Sequence, residues 1–270
     1  MADTGGRFVW YELMTTDIDA ASAFYTNVVG WSAHDASTPG MPYTLFLAGE
    51  NAVGGLLQLP GESRRSGGLP RWLGYVQVGD VDAASDQVVT LGGNVYIPPT
   101  NIGDISRFAV VADQQKAVFA LISWLSPRTE APATPRARGQ VSWHELFADD
   151  CERAVKFYGD LFGWRKTIAD SGDLGTYQLF ASRGQTIGGI LTKPPALPGP
   201  FWLHYFTVGD LDAAASRVTA GGGQILKGPT QAPDGNWIIQ CADPQDAMFA
   251  LIGKRSLAAV GFLERLSGPQ

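Results

Sequence analysis

Two glutamates occupy the same setting in two places. Trp10-Tyr11-Glu12-Leu13 returns as Trp143-His144-Glu145-Leu146, at an offset of 133 residues. A carboxylate among apolar and aromatic side chains loses hydration, keeps its proton to higher pH and can transfer it. Strand alternation chooses its companions: Trp10, Glu12 and Met14 share a face, as do Trp143, Glu145 and Phe147. In equivalent runs further along, Tyr75 and Tyr205 fall on that face with Gln77 and Thr207. These residues describe an aromatic cleft with one acid in each half, suited to a flat or apolar organic ligand. The competing reading is structural, with the acid tied to a backbone or tyrosine donor in a filled core, because a carboxylate buried without a partner is costly.

Other reactive residues carry less. His144 and His204 suggest an iron site of two histidines and one carboxylate with Glu145. Neighbours in a strand point to opposite faces, however, so His144 and Glu145 do not readily share an ion, and His204 is one residue out of register. Neither histidine has a counterpart in the first half, where Tyr11 and Gly74 stand, and His34 is isolated and expected to be exposed. Cys151 falls at a helix start beside Asp149 and Asp150, which oppose thiolate formation, and it reads as packing, as does Cys241. Asp104 and Asp234 sit at equivalent points of two loops and read as turn residues, Asp104 within reach of Arg107.

The elements that position these residues also repeat. Phe24-Tyr25 and Gly30-Trp31 return as Phe157-Tyr158 and Gly163-Trp164 at the same offset, Tyr43-Thr44-Leu45-Phe46 returns as Tyr177-Gln178-Leu179-Phe180, and Phe119-Ala120-Leu121-Ile122 as Phe249-Ala250-Leu251-Ile252. Repetition over this length means two homologous halves. Within each half a strand, an Asp-capped helix and three strands occur twice. The caps are Asp17, Asp80, Asp150 and Asp210, and the helix ends are Gly30, Gly92-Gly93, Gly163 and Gly221. The fold class is α+β, with four βαβββ modules paired into two curved, half-open barrel domains, residues 1–125 and 140–255. A Pro/Ala/Arg-rich linker over 126–139 and a tail over 256–270 complete the chain.

At 270 residues with 45% apolar content, two cores are affordable. A net charge of −6 without a dense Lys/Arg stretch argues against nucleic acid. No apolar run reaches spanning length, the start lacks the apolar stretch of a signal peptide, and the two cysteines form no framework. A cytoplasmic monomer or homodimer, acting on a small organic ligand without nucleic acid or membrane, is expected.

Paired modules with Phe-Tyr inside the helix and Gly-Trp after it resemble the vicinal oxygen chelate superfamily, which includes glyoxalase I, bleomycin-resistance proteins and extradiol dioxygenases. Asp243-Pro244 before Met248-Phe249-Ala250-Leu251 is similar to its closing turn and last strand. The resemblance implies the fold, and in metal-bearing members it implies ligands on the first and last strands of a module. Those positions fall here on Trp10, Leu73, Trp143 and Leu203, on Ala120 and Ala250, and on Leu56 or Gln58 and Ile190 or Thr192. None is His, Asp or Glu, so neither a metal nor another cofactor is expected. The leading expectation is a binder of small organic molecules, with Trp10, Met14, Tyr75, Trp143, Phe147 and Tyr205 as ligand contacts. Two alternatives stay open: a lyase or isomerase using Glu12 and Glu145 as general bases, and a metal-dependent glyoxalase or dioxygenase.

Overall fold

The computed structural model describes residues 6–65, 67–126, 137–172 and 175–256, so most of the expected linker and nearly all of the expected tail lie outside the described residues. The first half contains β1 (Arg7–Thr15), α1 (Ile18–Val29), β2 (Ser32–Asp35), β3 (Thr44–Ala48), β4 (Asn51–Gln58), α2 (Gly61–Arg65), β5 (Arg71–Gln77), α3 (Val81–Thr90), β6 (Asn94–Ile102), β7 (Ser106–Ala112) and β8 (Val118–Trp124). The second contains β9 (Val141–Ala148), α4 (Cys151–Phe162), β10 (Arg165–Gly172), β11 (Gly175–Ser182), β12 (Gln185–Thr192), β13 (Phe201–Asp210), α5 (Leu211–Ala220), β14 (Gln224–Gln231), β15 (Trp237–Ala242) and β16 (Met248–Lys254).

Each half makes one eight-stranded sheet, ordered β2-β3-β4-β1-β5-β8-β7-β6 and β10-β11-β12-β9-β13-β16-β15-β14. The first strands of paired modules run antiparallel at the centre, β1 on β5 and β9 on β13. All four long helices start at the expected aspartates, whose carboxylates accept from the backbone N–H of Ala20, Ala83, Arg153 and Ala213. Such a cap is worth about 1 kcal/mol. Gly30 and Gly163 end α1 and α4 in the left-handed conformation, which costs glycine little. The short α2, not anticipated, spans the crossing between modules. No described helix is long and apolar enough to cross a membrane.

The cores do not follow the halves. One cluster joins Leu13, Phe24, Tyr25 and Trp31 of the first half to Phe206, Leu211, Val218 and Phe249 of the second. Another joins Val76, Val88 and Phe119 to Leu146, Tyr158, Trp164 and Trp202. The helix-bearing faces of the sheets are therefore buried against each other's half, while the concave faces hold two smaller clusters.

Tyr25 and Tyr158 explain their recurrence. Trp72 Nε1 donates to the Tyr25 hydroxyl, which donates to Asp243 of the other half at 3.0 Å. Trp202 Nε1 donates to Tyr158, which donates to Asp113 at 3.1 Å. Each aspartate also accepts two backbone N–H groups of its own turn. Trp31 Nε1 bonds the Gly139 carbonyl, and Trp164 Nε1 bonds that of Gly6. Burial raises both aspartate pKa values, and these donors offset part of that effect.

Candidate functional site: two concave clefts

Alternation along β1 and β9 divides neighbouring residues between two environments. Trp10 and Met14 belong to the first concave cluster with Leu73, Tyr75, Phe108, Val110, Ala120 and Trp124. Trp143 and Phe147 belong to the second with Leu203, Tyr205, Ile238, Leu191 and Ala250. Tyr11 and Leu13, or Leu146 and Ala148, face the inter-half cores instead. All eight residues read from the sequence as site candidates thus lie along the two concave faces.

In the first cleft Glu12 is half-buried and held by two phenols. Tyr43 donates to Oε1 at 2.6 Å and Tyr75 donates to Oε2. Trp10 Nε1 donates in turn to the Tyr43 hydroxyl at 3.2 Å. Burial and the adjacent carboxylate push both phenol pKa values up, so the tyrosines remain donors at neutral pH.

The second cleft repeats this frame. Glu145 is 8% exposed. Tyr205 donates to its Oε2 at 2.7 Å, Trp143 Nε1 donates to the Tyr177 hydroxyl at 2.9 Å, and Tyr177 is near enough to the carboxylate to lower its pKa. Gln240 is additional: its Nε2 lies 3.0 Å from both Glu145 Oε2 and the Tyr205 hydroxyl. Burial raises the Glu145 pKa above the usual carboxylate value, and the Tyr205, Tyr177 and Gln240 donors and the charge of Lys227 pull it back in part. Phe147 and Phe201 stack at 4.9 Å with planes 8° apart.

Tyr43, Tyr177, Gln240 and Phe201 were not anticipated as site residues. The signal for the tyrosines was the Tyr-x-Leu-Phe repeat, a strand ladder away from the glutamates. Gly55 and Gly189 also contribute, because a Cβ at either would overlap the Tyr43 or Tyr177 ring. This corrects the last-strand register. Leu56 and Ile190 lie in the inter-half cores, Gln58 donates to the Thr16 carbonyl, and Thr192 accepts from the Cys151 N–H. The cleft-facing positions are Gly55 and Gly189, where a side chain gives way to a phenol.

The histidines lie behind the clefts, where the halves meet. Tyr11 and His144 are equivalents in the repeat and bond each other, Tyr11 OH to His144 Nε2 at 2.6 Å. His144 Nδ1 lies 2.9 Å from the Ile187 carbonyl and donates to it, which leaves Nε2 as the acceptor. Gly74 and His204 are likewise equivalents in contact, and a Cβ on Gly74 would press on the His204 ring. A residue on the pseudo-twofold meets its own counterpart, so the pair must be complementary: donor with acceptor, small with large. Burial lowers the His144 pKa to about 4 and lowers that of His204 well below the usual value. Neither His204 nitrogen has a hydrogen-bond partner among the described residues, and the ring sits edge-to-face with Phe8, Tyr11 and His144.

The remaining candidates are structural. His34 is exposed beside Ser32, and Asp234 accepts from Asn236 within its turn. Arg107 pairs with Asp82 and Asn101 rather than with Asp104, because those side chains flank it from α3 and β6. Cys151 and Cys241 are buried and their thiol pKa values raised. Hollows of about 190 and 210 Å³ open beside Cys151 and beside Asn236, and neither is lined by Glu12 or Glu145.

A family model described as Glyoxalase/Bleomycin resistance protein/Dioxygenase superfamily matches residues 7–121 and again 140–251. "Putative glyoxylase CFP32" of Mycobacterium tuberculosis is 32% identical over 246 residues, covering 90% of this chain and 93% of that protein. Anthracycline biosynthesis protein DauV of Streptomyces sp. is 30% identical over 265 residues, covering 93% and 94%. Among solved structures, an Mn(II)-bound glyoxalase from Novosphingobium aromaticivorans superposes with a TM-score of 0.64 at 17% identity, covering 94% of this chain and 83% of that one. A homoprotocatechuate 2,3-dioxygenase variant from B. fuscum gives 0.66 at 15%, covering 94% and 72%. At these identities the structures establish the fold alone.

Proposed function

The chain belongs to the glyoxalase/bleomycin resistance protein/dioxygenase superfamily, and we propose that within it this protein binds a small, flat organic molecule against its concave clefts without a catalytic metal. The observation that carries this reading is the frame present in both halves: one glutamate accepting from the tyrosine of the paired module, Tyr75 or Tyr205, beside a second tyrosine, Tyr43 or Tyr177, that is backed by a tryptophan. Trp10, Tyr75, Phe147 and Tyr205 are buried, and the partly exposed rings of Tyr43, Trp143, Tyr177 and Phe201 supply contact area at low conformational cost, with fixed polar groups to orient the ligand.

A divalent metal does not fit this donor set. The positions that the family resemblance reads as ligands hold Trp10, Leu73 and Ala120, and Trp143, Leu203 and Ala250, none of which offers a donor of the required type. Each glutamate is engaged by neutral donors, and the two histidines face the opposite side of the sheet. Among the described residues no three His, Cys, Asp or Glu side chains gather into a cluster.

Proton transfer by Glu145 is the second reading, favoured by its raised pKa inside a cleft. The relative named for anthracycline biosynthesis directs the search towards fused-ring ligands. The test is equilibrium binding of fused aromatic probes, followed through tryptophan fluorescence, in wild type, E12Q and E145Q. A binder changes affinity in these variants. An enzyme keeps affinity and loses turnover. Absence of saturable binding by any probe would overturn the reading.

A further inference from the structure

The two clefts share their glutamate frame but not their floor. Val110 and Gln240 are equivalent, each opposite the alanine of the last strand, Ala120 or Ala250. Both face the concave side, Val110 within the first cleft cluster and Gln240 through its bonds to Glu145 and Tyr205. The second cleft therefore has a carboxamide where the first has a methyl surface.

That carboxamide is only partly used. Gln240 Nε2 is 3.0 Å from Glu145 Oε2 and 3.0 Å from the Tyr205 oxygen, and those oxygens are 2.7 Å apart. Seen from Nε2 they are separated by about 50°, whereas the two N–H bonds of a planar amide diverge by about 120°. One N–H therefore serves both acceptors as a three-centre bond. The other N–H and Oε1 have no partner among the described residues, and the side chain is half-buried rather than sealed. Repulsion between Oε1 and the carboxylate keeps Oε1 away from Glu145, and the neighbouring strand position across from Gln240 is Lys227, so the spare donor and acceptor stand beside a cation rather than in an apolar wall. The stacked Phe147–Phe201 pair and the half-buried Trp143 and Tyr177 line the same concave face. In the first half the pair's counterparts are Met14 and Arg71.

We infer that Gln240 is the specificity-determining residue of the second cleft. Its ligand is a flat ring system whose edge carries a hydrogen-bond donor beside an acceptor, as in a cyclic lactam or adjacent hydroxyl and carbonyl groups. The inference rests on the binding reading above and narrows it to one cleft and one chemical class. Pairing both free amide groups favours such an edge over an isostere lacking the donor, because the isostere leaves a partly buried group unpaired.

Isocarbostyril, a fused-ring lactam, and its N-methyl derivative are the probes, titrated calorimetrically into the full chain. Wild type is expected to bind the lactam about tenfold more tightly than the N-methyl compound, in line with one polar contact. Gln240→Met should bring the two to equal affinity while retaining the aromatic contribution. Val110→Gln, which leaves the second cleft intact, should add a second lactam-preferring site. Equal affinities in wild type, or a preference that persists in Gln240→Met with an unchanged melting temperature, would overturn the inference and leave the binding reading standing. Failure of either compound to bind would overturn both.

Discussion

The interface between the halves and the clefts treat the same internal repeat differently. Across the interface the pseudo-twofold is followed by the main anchoring bonds. Tyr25 reaches Asp243 as Tyr158 reaches Asp113, and Trp31 caps Gly139 as Trp164 caps Gly6. In the clefts only the frame is shared. The residues around it differ: Val110 against Gln240, Met14 against Phe147, Arg71 against Phe201 and Ile97 against Lys227. Repeated residues therefore carry architecture, and the non-repeated cleft residues carry discrimination. The on-axis pairs Tyr11/His144 and Gly74/His204 differ for the geometric reason that each side chain packs on its own counterpart, and Gln115 bonds Asp150 through both amide atoms where Oε1 of its equivalent Gln245 has no partner among the described residues.

The sharpest way to break this comparison is to truncate both members of a symmetric pair. Trp72→Ala and Trp202→Ala each remove a buried ring and its bond to a tyrosine, and each should cost about 3–5 kcal/mol in denaturant unfolding. Similar losses are expected from the two. A large loss from only one would show that the halves do not share the interface equally.

Acid should find the on-axis pair next. His144 titrates at about 4 in the folded protein and near 6.5 when unfolded, so the unfolded state binds more protons between these values. Its stabilising contribution is complete above about pH 6.5 and is lost as pH falls towards 4, on the order of 3 kcal/mol. His204 acts in the same direction. His144→Gln, which keeps an acceptor for Tyr11, should flatten the fall in melting temperature across this window. An unchanged slope would remove His144 from the acid response.

Gly55→Ala and Gly189→Ala probe what the clefts share. The added methyl overlaps Tyr43 or Tyr177 and should cost about 1–3 kcal/mol, with loss of probe binding at that cleft. A smaller effect belongs to Glu145 and pH. The raised Glu145 pKa means that the folded state binds the proton more readily. The associated cost is absent below about pH 4.3, grows as pH rises through the folded value and is complete above it. Stability of E145Q relative to wild type should therefore rise with pH over this range. A constant difference would contradict the burial-driven shift.

Much of this was legible in the chain. The helix caps, the four modules and the faces of Trp10, Glu12, Trp143 and Glu145 follow from local chemistry and the period of a strand. Alternation alone placed His144 away from Glu145. Tyr43 and Tyr177 show in the sequence as repeats but not as neighbours of the glutamates, because they approach across strands whose register depends on Gly55 and Gly189. The sharing of cores between halves was invisible for a related reason: Phe206 and Trp202 look equally apolar whichever sheet they face. A lone glutamine such as Gln240 carries no sequence pattern, and its meaning appears only beside Val110.

The most direct test of the central claim is calorimetric titration of isocarbostyril into protein dialysed against a chelator, repeated after adding Mn(II) or Zn(II). Saturable binding of equal affinity in all conditions is expected if the tyrosine-held glutamates and aromatic walls form the site. Binding that appears only when metal is restored would contradict it.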